Sequence, residues 1–215
     1  HRRCTLLKSK LDPATGARIR FEAGDRACTL LIDLRHRTAA ASGGLIREPG
    51  TAANLPSGET YIVPYEGEIE GDPSRTAGSM PLEMDGELMA YEIERNRVQR
   101  VLGGGPRAAA EDAEMKAEPA YSNVAELGLG VLARYGIRPV GELLLDEKLG
   151  LHIAFGRSDH FGGQVGAKDF SSPEKVVHID RVYLPEVQPS IRVPSVDLVM
   201  PEGPPLPLMR DGEYV

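Results

Sequence analysis

Charged and apolar residues alternate along Arg18-Ile19-Arg20-Phe21, the period of a strand with one buried face. The more continuous apolar run Cys28-Thr29-Leu30-Leu31-Ile32-Asp33-Leu34 predicts a buried strand, with Gly24-Asp25 as the turn between the two. Residues 38 to 58 are rich in Ala, Gly, Pro and Ser and predict a loop leading to Glu59. Thr60-Tyr61-Ile62-Val63 then reads as a short strand that stops at Pro64. Asp85-Gly86 is a hairpin signal between Pro81–Met84 and Glu87–Ile93, and Arg95 to Leu102 is expected to extend the second strand. Gly103-Gly104-Gly105-Pro106 breaks that run ahead of the best helix, Ala108 to Lys116. A second, short helix is expected near Val131 to Tyr135, ending at Gly136.

The remaining apolar segments have strand character: Leu143–Leu145, Leu151–Phe155, Val176–Ile179, Val182–Leu184 and Ser195–Val199. Pro201 to Pro207 is proline-rich and predicts an extended arm. The expectation is a β-rich α+β chain, with one metal-binding, catalytic-type domain over 1–200 and the arm over 201–215.

Composition narrows the function classes. The chain has 215 residues, 41% hydrophobic and 27% charged, which is ordinary for a globular protein. A formal net charge of −7, without a Lys/Arg stripe, argues against a nucleic-acid partner. There is no apolar run of about 18 residues, so no membrane span is expected. The start lacks the unbroken apolar stretch of a signal peptide. Cys4 and Cys28 have neither zinc-ribbon spacing nor the pattern of a disulfide framework, so a reducing cytoplasm is expected.

Candidate chemistry lies in five places. His178-Ile179-Asp180 on a strand puts an imidazole and a carboxylate on one face, as a divalent metal requires. Taken alone, that pair is better explained by a surface strand. His152 sits in an apolar strand, where a histidine is more often a satisfied core residue. Asp146-Glu147-Lys148 stands just upstream and reads by itself as a charged turn in solvent. Glu126 precedes two alternating glycines, Gly128 and Gly130, which allow close approach of backbone or ligand. Glu59 lies at a loop-to-strand junction, although Pro-Ser-Gly-Glu is also common in plain turns. As a set, three glutamates, two histidines and an aspartate are a ligand inventory sufficient for two metal ions. Gly103–Gly105 lacks the Lys-Ser/Thr ending of a phosphate loop, no serine has a nucleophile-elbow context, and Cys28 reads as packing.

Read in order, these segments resemble the aminopeptidase T and aminopeptidase S family of thermophilic metallopeptidases. Asn54-Leu55-Pro56-Ser57-Gly58-Glu59 is similar to that family's Asn-(Ile/Leu)-Pro-Ser-Gly-Glu segment, and Ala125–Gly130 resembles its second glutamate motif. Asp146-Glu147-Lys148 followed by Gly150–Gly156 is similar to its Asp-Glu-Lys…His-x-Ala-x-Gly segment, and His178-Ile179-Asp180 resembles its closing His-x-Asp. The resemblance implies the fold of the family's C-terminal catalytic domain. It implies Glu59, Glu126, His152, His178 and Asp180 as metal ligands, Glu126 shared between metals, and Glu147 as a further ligand or acid/base. It further implies two divalent ions, zinc or cobalt, a peptide or small amide substrate, and a homodimer. Three departures stand beside it. The chain is about half the family's length. Arg157–Phe161 lacks the family's tyrosine, leaving Asp159 or His160 to serve in its place. Lys175-Val176-Val177 replaces the serine that precedes the closing histidine.

Three functions are therefore weighed. The first is a metal-dependent aminopeptidase, with Glu147 taking a proton from water and His160 and Asp159 as further catalytic groups. The second is a divergent metal-binding member that hydrolyses another amide or has lost peptidase activity. The third is a structural module whose acidic and histidine residues are incidental.

Overall fold

In β1 (Gly16–Ala23) Ala17, Ile19 and Phe21 are buried while Arg18 and Arg20 are exposed, so the alternation read at 18–21 governs the whole strand. Gly24, at φ +56°, turns the chain into β2 (Arg26–Asp33), which pairs antiparallel with β1 from Ala23↔Arg26 to Gly16↔Asp33. The computed structural model describes residues 1–50 and 53–215. It is a β-rich α+β fold, and none of its described helices is long and apolar enough to cross a membrane.

The further strands are β3 (Ala40–Ser42), β4 (Glu59–Ile62), β5 (Ala77–Met84), β6 (Glu87–Glu94), β7 (Arg97–Leu102) and β8 (Val124–Gly130). They are followed by β9 (Leu151–Gly156), β10 (His178–Val182), β11 (Ile191–Val199), β12 (Leu206–Arg210) and β13 (Glu213–Tyr214). One sheet has the order β13-β12-β11-β1-β2-β5-β6-β7 and the other β10-β9-β8-β4-β3. The main hydrophobic core draws on both sheets. Ile19, Phe21, Leu30, Met80, Leu82 and Tyr91 come from the larger; Ile62, Leu127, Leu129, Leu151, Ile153 and Phe155 come from the smaller. Tyr91 meets Phe155 edge-on, with ring centroids 5.2 Å apart.

Four expectations are corrected. Residues 95–102 do not extend β6; the chain reverses at Arg95-Asn96, both left-handed at φ 51° and 65°. Asparagine tolerates that conformation, and the buried Asn96 amide donates to Asn123 Oδ1 (3.1 Å) and to the Val124 carbonyl (2.8 Å). The turn thereby ties the large sheet's edge to β8. The 38–58 segment is not all loop, because β3 pairs with β4 from Ala40↔Tyr61 to Ser42↔Glu59; residues 51–52 of it lie outside the described residues. Leu143–Leu145 is no strand but the start of the one-turn helix α3 (Leu143–Asp146), held by the Asp146 carboxylate accepting from the Val140 and Gly141 amides at 2.9 Å each. Beyond Pro201 the chain turns back and β12 and β13 add to the large sheet, with Leu208 and Met209 buried.

The Ala108–Lys116 helix lies within α2 (Pro106–Ala117), opened by a proline whose missing amide costs nothing at a helix start. The short helix expected near 131–135 is one 3-10 turn, Ala133–Tyr135, ended by Gly136. An N-terminal helix, α1 (Arg2–Leu11), was not anticipated; its buried Cys4, Leu7 and Leu11 follow helical spacing. Cys4 and Cys28 are free thiols.

Because Leu208 is fully buried, Leu208→Ala is expected to cost about 2–5 kcal/mol of unfolding free energy. Urea titration measures this, and a cost near zero would return residues 201–215 to the status of a loose arm.

Candidate metal centre

One face of the smaller sheet carries the site. Residues paired across strands share a face, and so do residues two apart on one strand. The register sets Glu59 opposite Gly130, Tyr61 opposite Gly128, and Gly128 opposite His152. Ala154 is flanked by Glu126 on one side and Asp180 on the other, and Gly156 is opposite His178. Functional side chains thus alternate with Gly or Ala, and the small residues form the floor. Leu127, Leu129, Ile153 and Phe155, of opposite parity, enter the core.

Two of these glycines are dictated by close approach. A Cβ on Gly128 would lie 1.8 Å from His152 Nε2, so the imidazole lies across that position. A Cβ on Gly130 would lie 2.2–2.5 Å from backbone atoms of Glu147, Lys148 and Leu149. That contact lets the 3-10 turn Glu147–Leu149 pack directly on β8, burying Glu147 and Lys148. The charged turn is therefore not solvent-facing. Lys148 is only 1% exposed, and its ammonium donates to Glu59 Oε1 at 2.6 Å and to Glu147 Oε1.

Glu126 stands at the centre. Its Oε1 is 3.2 Å from His152 Nε2 and its Oε2 is 3.3 Å from His178 Nε2. Glu59 Oε2 is 3.7 Å from His152 Nε2, and Asp180 Oδ1 is 3.9 and 4.0 Å from the His152 and His178 Nε2 atoms. Ligand atoms of Glu59, Glu126 and His152 all lie within 4.8 Å of one another. Asp180 Oδ1 is buried and has no hydrogen-bond partner.

The imidazoles are oriented by their other nitrogens. His152 Nδ1 is 3.1 Å from the Gly150 carbonyl and His178 Nδ1 is 2.7 Å from the Arg157 carbonyl. A carbonyl only accepts, so each Nδ1 carries the hydrogen and each Nε2 faces the carboxylates. A neutral Nε2 presents a lone pair to carboxylate oxygens, which is repulsive unless a proton or a metal ion intervenes. This is the arrangement of metal-ligating histidines. Together with the orphaned Asp180 oxygen and the mixed N/O donor set, it fits divalent first-row ions.

Four buried carboxylates, Glu59, Glu126, Glu147 and Asp180, share the site with one buried ammonium, Lys148, which contacts Glu59 and Glu147. Without a metal the charge balance pulls protons onto the histidines. Burial alone would disfavour the His152 imidazolium, but the Glu126 hydrogen bond and the charges of Asp180, Glu126 and Glu59 raise it to about 9. Burial likewise opposes the His178 imidazolium, and Glu126 and Asp180 outweigh it, again to about 9. Burial works against ionising Glu126 too, yet the two imidazoles take it down to about 2. Glu147 moves the other way: burial, then the neighbouring Asp180 carboxyl, push it up to about 7 against Lys148. Burial also raises Glu59.

The other sequence candidates lie at the rim. The His160 ring meets His178 edge-on at 5.1 Å and packs on Phe161 at 3.9 Å. Asp159 is turned to Arg157, 2.5 Å from its Nε, which holds its carboxyl below the usual range. The structure thus brings Glu59, Glu126, Glu147, His152, His178 and Asp180 together and leaves Asp159 outside that group. Sequence reasoning missed Lys148 as the ammonium joining two of the carboxylates. It also missed Tyr61, whose position two residues after Glu59 was the available signal.

No protein-family model matches the chain, and no curated protein matches it. Solved structures do share its fold. Wild-type AmpT (aminopeptidase T) from Thermus thermophilus aligns over the whole chain at 20% identity and a TM-score of 0.60, with 53% of AmpT covered. The 2,5-dihydroxypyridine dioxygenase from Pseudomonas putida KT2440 aligns over the whole chain at 18% identity and a TM-score of 0.67, with 58% covered. The chain spans little more than half the length of either, and the relationship is a distant, structural one.

Gly128→Ala should displace the His152 imidazole and lower bound metal per chain after zinc loading, read by elemental analysis. Undiminished metal would show that the ring does not need that gap. In chelator, the raised histidines stabilise the fold fully below their unfolded value near 6.5 and lose that contribution as pH rises through about 9. The urea midpoint of the metal-free chain should therefore fall from pH 6.5 to pH 9, and fall less in His178→Gln. Equal slopes in the two proteins would contradict the proposed source of the effect.

Proposed function

We propose that the chain supplies the metal-binding hydrolytic centre of an aminopeptidase-type enzyme acting on peptides or small amides. The observation that carries this reading is the Glu126 carboxylate, with one oxygen toward His152 and the other toward His178. On one side of it stand Glu59 and His152; on the other, His178 and Asp180. Divalent cations bound there would draw their ligands from Glu59, Glu126, Glu147, His152, His178 and Asp180. Zinc or cobalt held there would polarise the scissile carbonyl and lower the pKa of water.

The chain's own residues supply the remainder. Glu147, buried against Asp180 and Lys148, would take a proton from the attacking water and return it to the leaving amine. Lys148 fixes both Glu147 and Glu59 and balances part of their charge. His160 lies at the open rim, next to His178. Association into a homodimer belongs to the same proposal.

One observation favours a second reading. Asp180 Oδ1 is nearly equidistant from both Nε2 atoms, at 3.9 and 4.0 Å. Two histidines and one carboxylate are the ligand set of non-haem iron oxygenases, and one neighbour in fold is named a dioxygenase. A divergent hydrolase of another amide is the third.

Amino-acid p-nitroanilides assayed with added cobalt or zinc separate them. Expected are about two metals per chain, turnover dependent on the metal, and loss of at least 100-fold in His178→Ala. One iron per chain with oxygen uptake would select the oxygenase. Full metal occupancy without turnover of any amide would reject the hydrolase.

A further inference from the structure

Tyr61 shares the metal-binding face and has no assigned task. It lies two residues beyond Glu59 on β4 and directly opposite Gly128. Gly128 has no side chain and is overlain from its other side by the His152 ring. Tyr61 and His152 therefore border the same gap from opposite sides. Thr60 and Ile62, of opposite parity, are fully buried, Thr60 donating to the Cys4 carbonyl at 2.8 Å. Tyr61 is only half-buried.

Its ring is held while its hydroxyl is left free. Phe161 packs on it at a centroid distance of 4.6 Å, and Phe161 in turn lies 5.5 Å from the His178 ring. The phenols of Tyr65, Tyr91, Tyr183 and Tyr214 are each hydrogen-bonded within the fold. Among the described residues the Tyr61 hydroxyl has no such partner.

We propose that Tyr61 is a catalytic residue of this centre, donating its hydroxyl to the carbonyl oxygen of a bound amide as negative charge develops there. The proton stays on the phenol throughout; the bond is a donated hydrogen bond that strengthens as the carbonyl carbon becomes tetrahedral. The group is suited to this because a phenol is an unionised donor at neutral pH. A rigid donor aimed at developing charge acts mainly on the transition state. Phe161 contributes by fixing the ring, so the donor does not have to be reoriented during reaction. The inference rests on the hydrolytic reading in taking the bound group to be an acyl carbon under attack.

The test uses Tyr61→Phe, which keeps the ring and its packing and removes only the hydroxyl. An α-aminoalkyl phosphonate, a tetrahedral anion shaped like an attacked amino-acid amide, serves as probe for the cobalt-loaded chain. Calorimetry should show its Kd weakened about 10-fold or more in Tyr61→Phe, with bound cobalt and Tm unchanged. Where turnover is measurable, kcat should fall by about 10- to 1,000-fold with KM nearly constant. Equal phosphonate affinity in the two proteins overturns the role of Tyr61, whatever the activity. Wild-type chain that hydrolyses amides without binding the phosphonate also overturns it, and leaves the hydrolase standing. Wild-type chain that neither binds the probe nor turns over removes both. Weakened binding without any amide turnover keeps the donor and removes the peptidase.

Discussion

Two imidazole nitrogens aimed at one buried carboxylate are the constraint around which the smaller sheet is organised. Each imidazole has its Nδ1–H committed to a backbone carbonyl, so neither Nε2 can turn away from Glu126. A lone pair against a carboxylate in a buried pocket is unfavourable, and so is a set of carboxylates facing one ammonium. Some positive species must lie between them. Protons on His152 and His178 answer this without metal; a divalent cation answers it better, because it also takes up the orphaned Asp180 oxygen.

The surrounding fold can be understood as the means of holding that unfavourable charge arrangement in place. Strands β8, β9 and β10 use one face for the site and the other for the common core, so the ligands ride on backbones fixed by buried Leu, Ile and Phe side chains. On β10, Asp180 points into the site while the next residue, Arg181, reaches the opposite way to Glu111 of α2 at 2.8 Å. β8 is tied at its start by Asn96 and at its end by the Tyr214 hydroxyl, which donates to the Gly130 carbonyl at 2.8 Å. Ligand positions supported from both sides lose little order on binding, which is what a preorganised centre requires.

How much of this could be read from the sequence depends on the kind of signal. The candidate ligands were legible because strand periodicity puts His178 and Asp180 on one face, and because the motif order resembles that of a known family. Gly128 and Gly130 were legible as points of close approach, though not what approaches: an imidazole in one case and a backbone turn in the other. Asp146-Glu147-Lys148 read as a solvent turn because only three-dimensional packing against Gly130 buries it. The Arg95-Asn96 reversal was hidden by the strand-like alternation of polar and apolar residues on both sides of it, and the β12–β13 hairpin by the prolines before it. Tyr61 was hidden for another reason. A lone tyrosine in a strand is most simply a packing residue, and only its place on the face shared with Glu59, with no hydroxyl partner among the described residues, distinguishes it.

That distinction bears on the difference between hydrolysis and oxygenation on one fold. Both chemistries can use two histidines and an aspartate, so the ligand triangle of His152, His178 and Asp180 does not separate them. What separates them is the surrounding groups. Hydrolysis needs a second cation or its ligands, a base beside the water and a donor for the oxyanion. In the proposed reading Glu59 and Glu126 would supply the first, Glu147 the second, and Tyr61, on the same face, the third. A single iron held by two histidines and a carboxylate accounts for that triangle alone and leaves the buried Lys148–Glu59–Glu147 array without a part in it. The balance of groups around the shared triangle therefore favours the hydrolytic reading over the name of the neighbour with the higher TM-score.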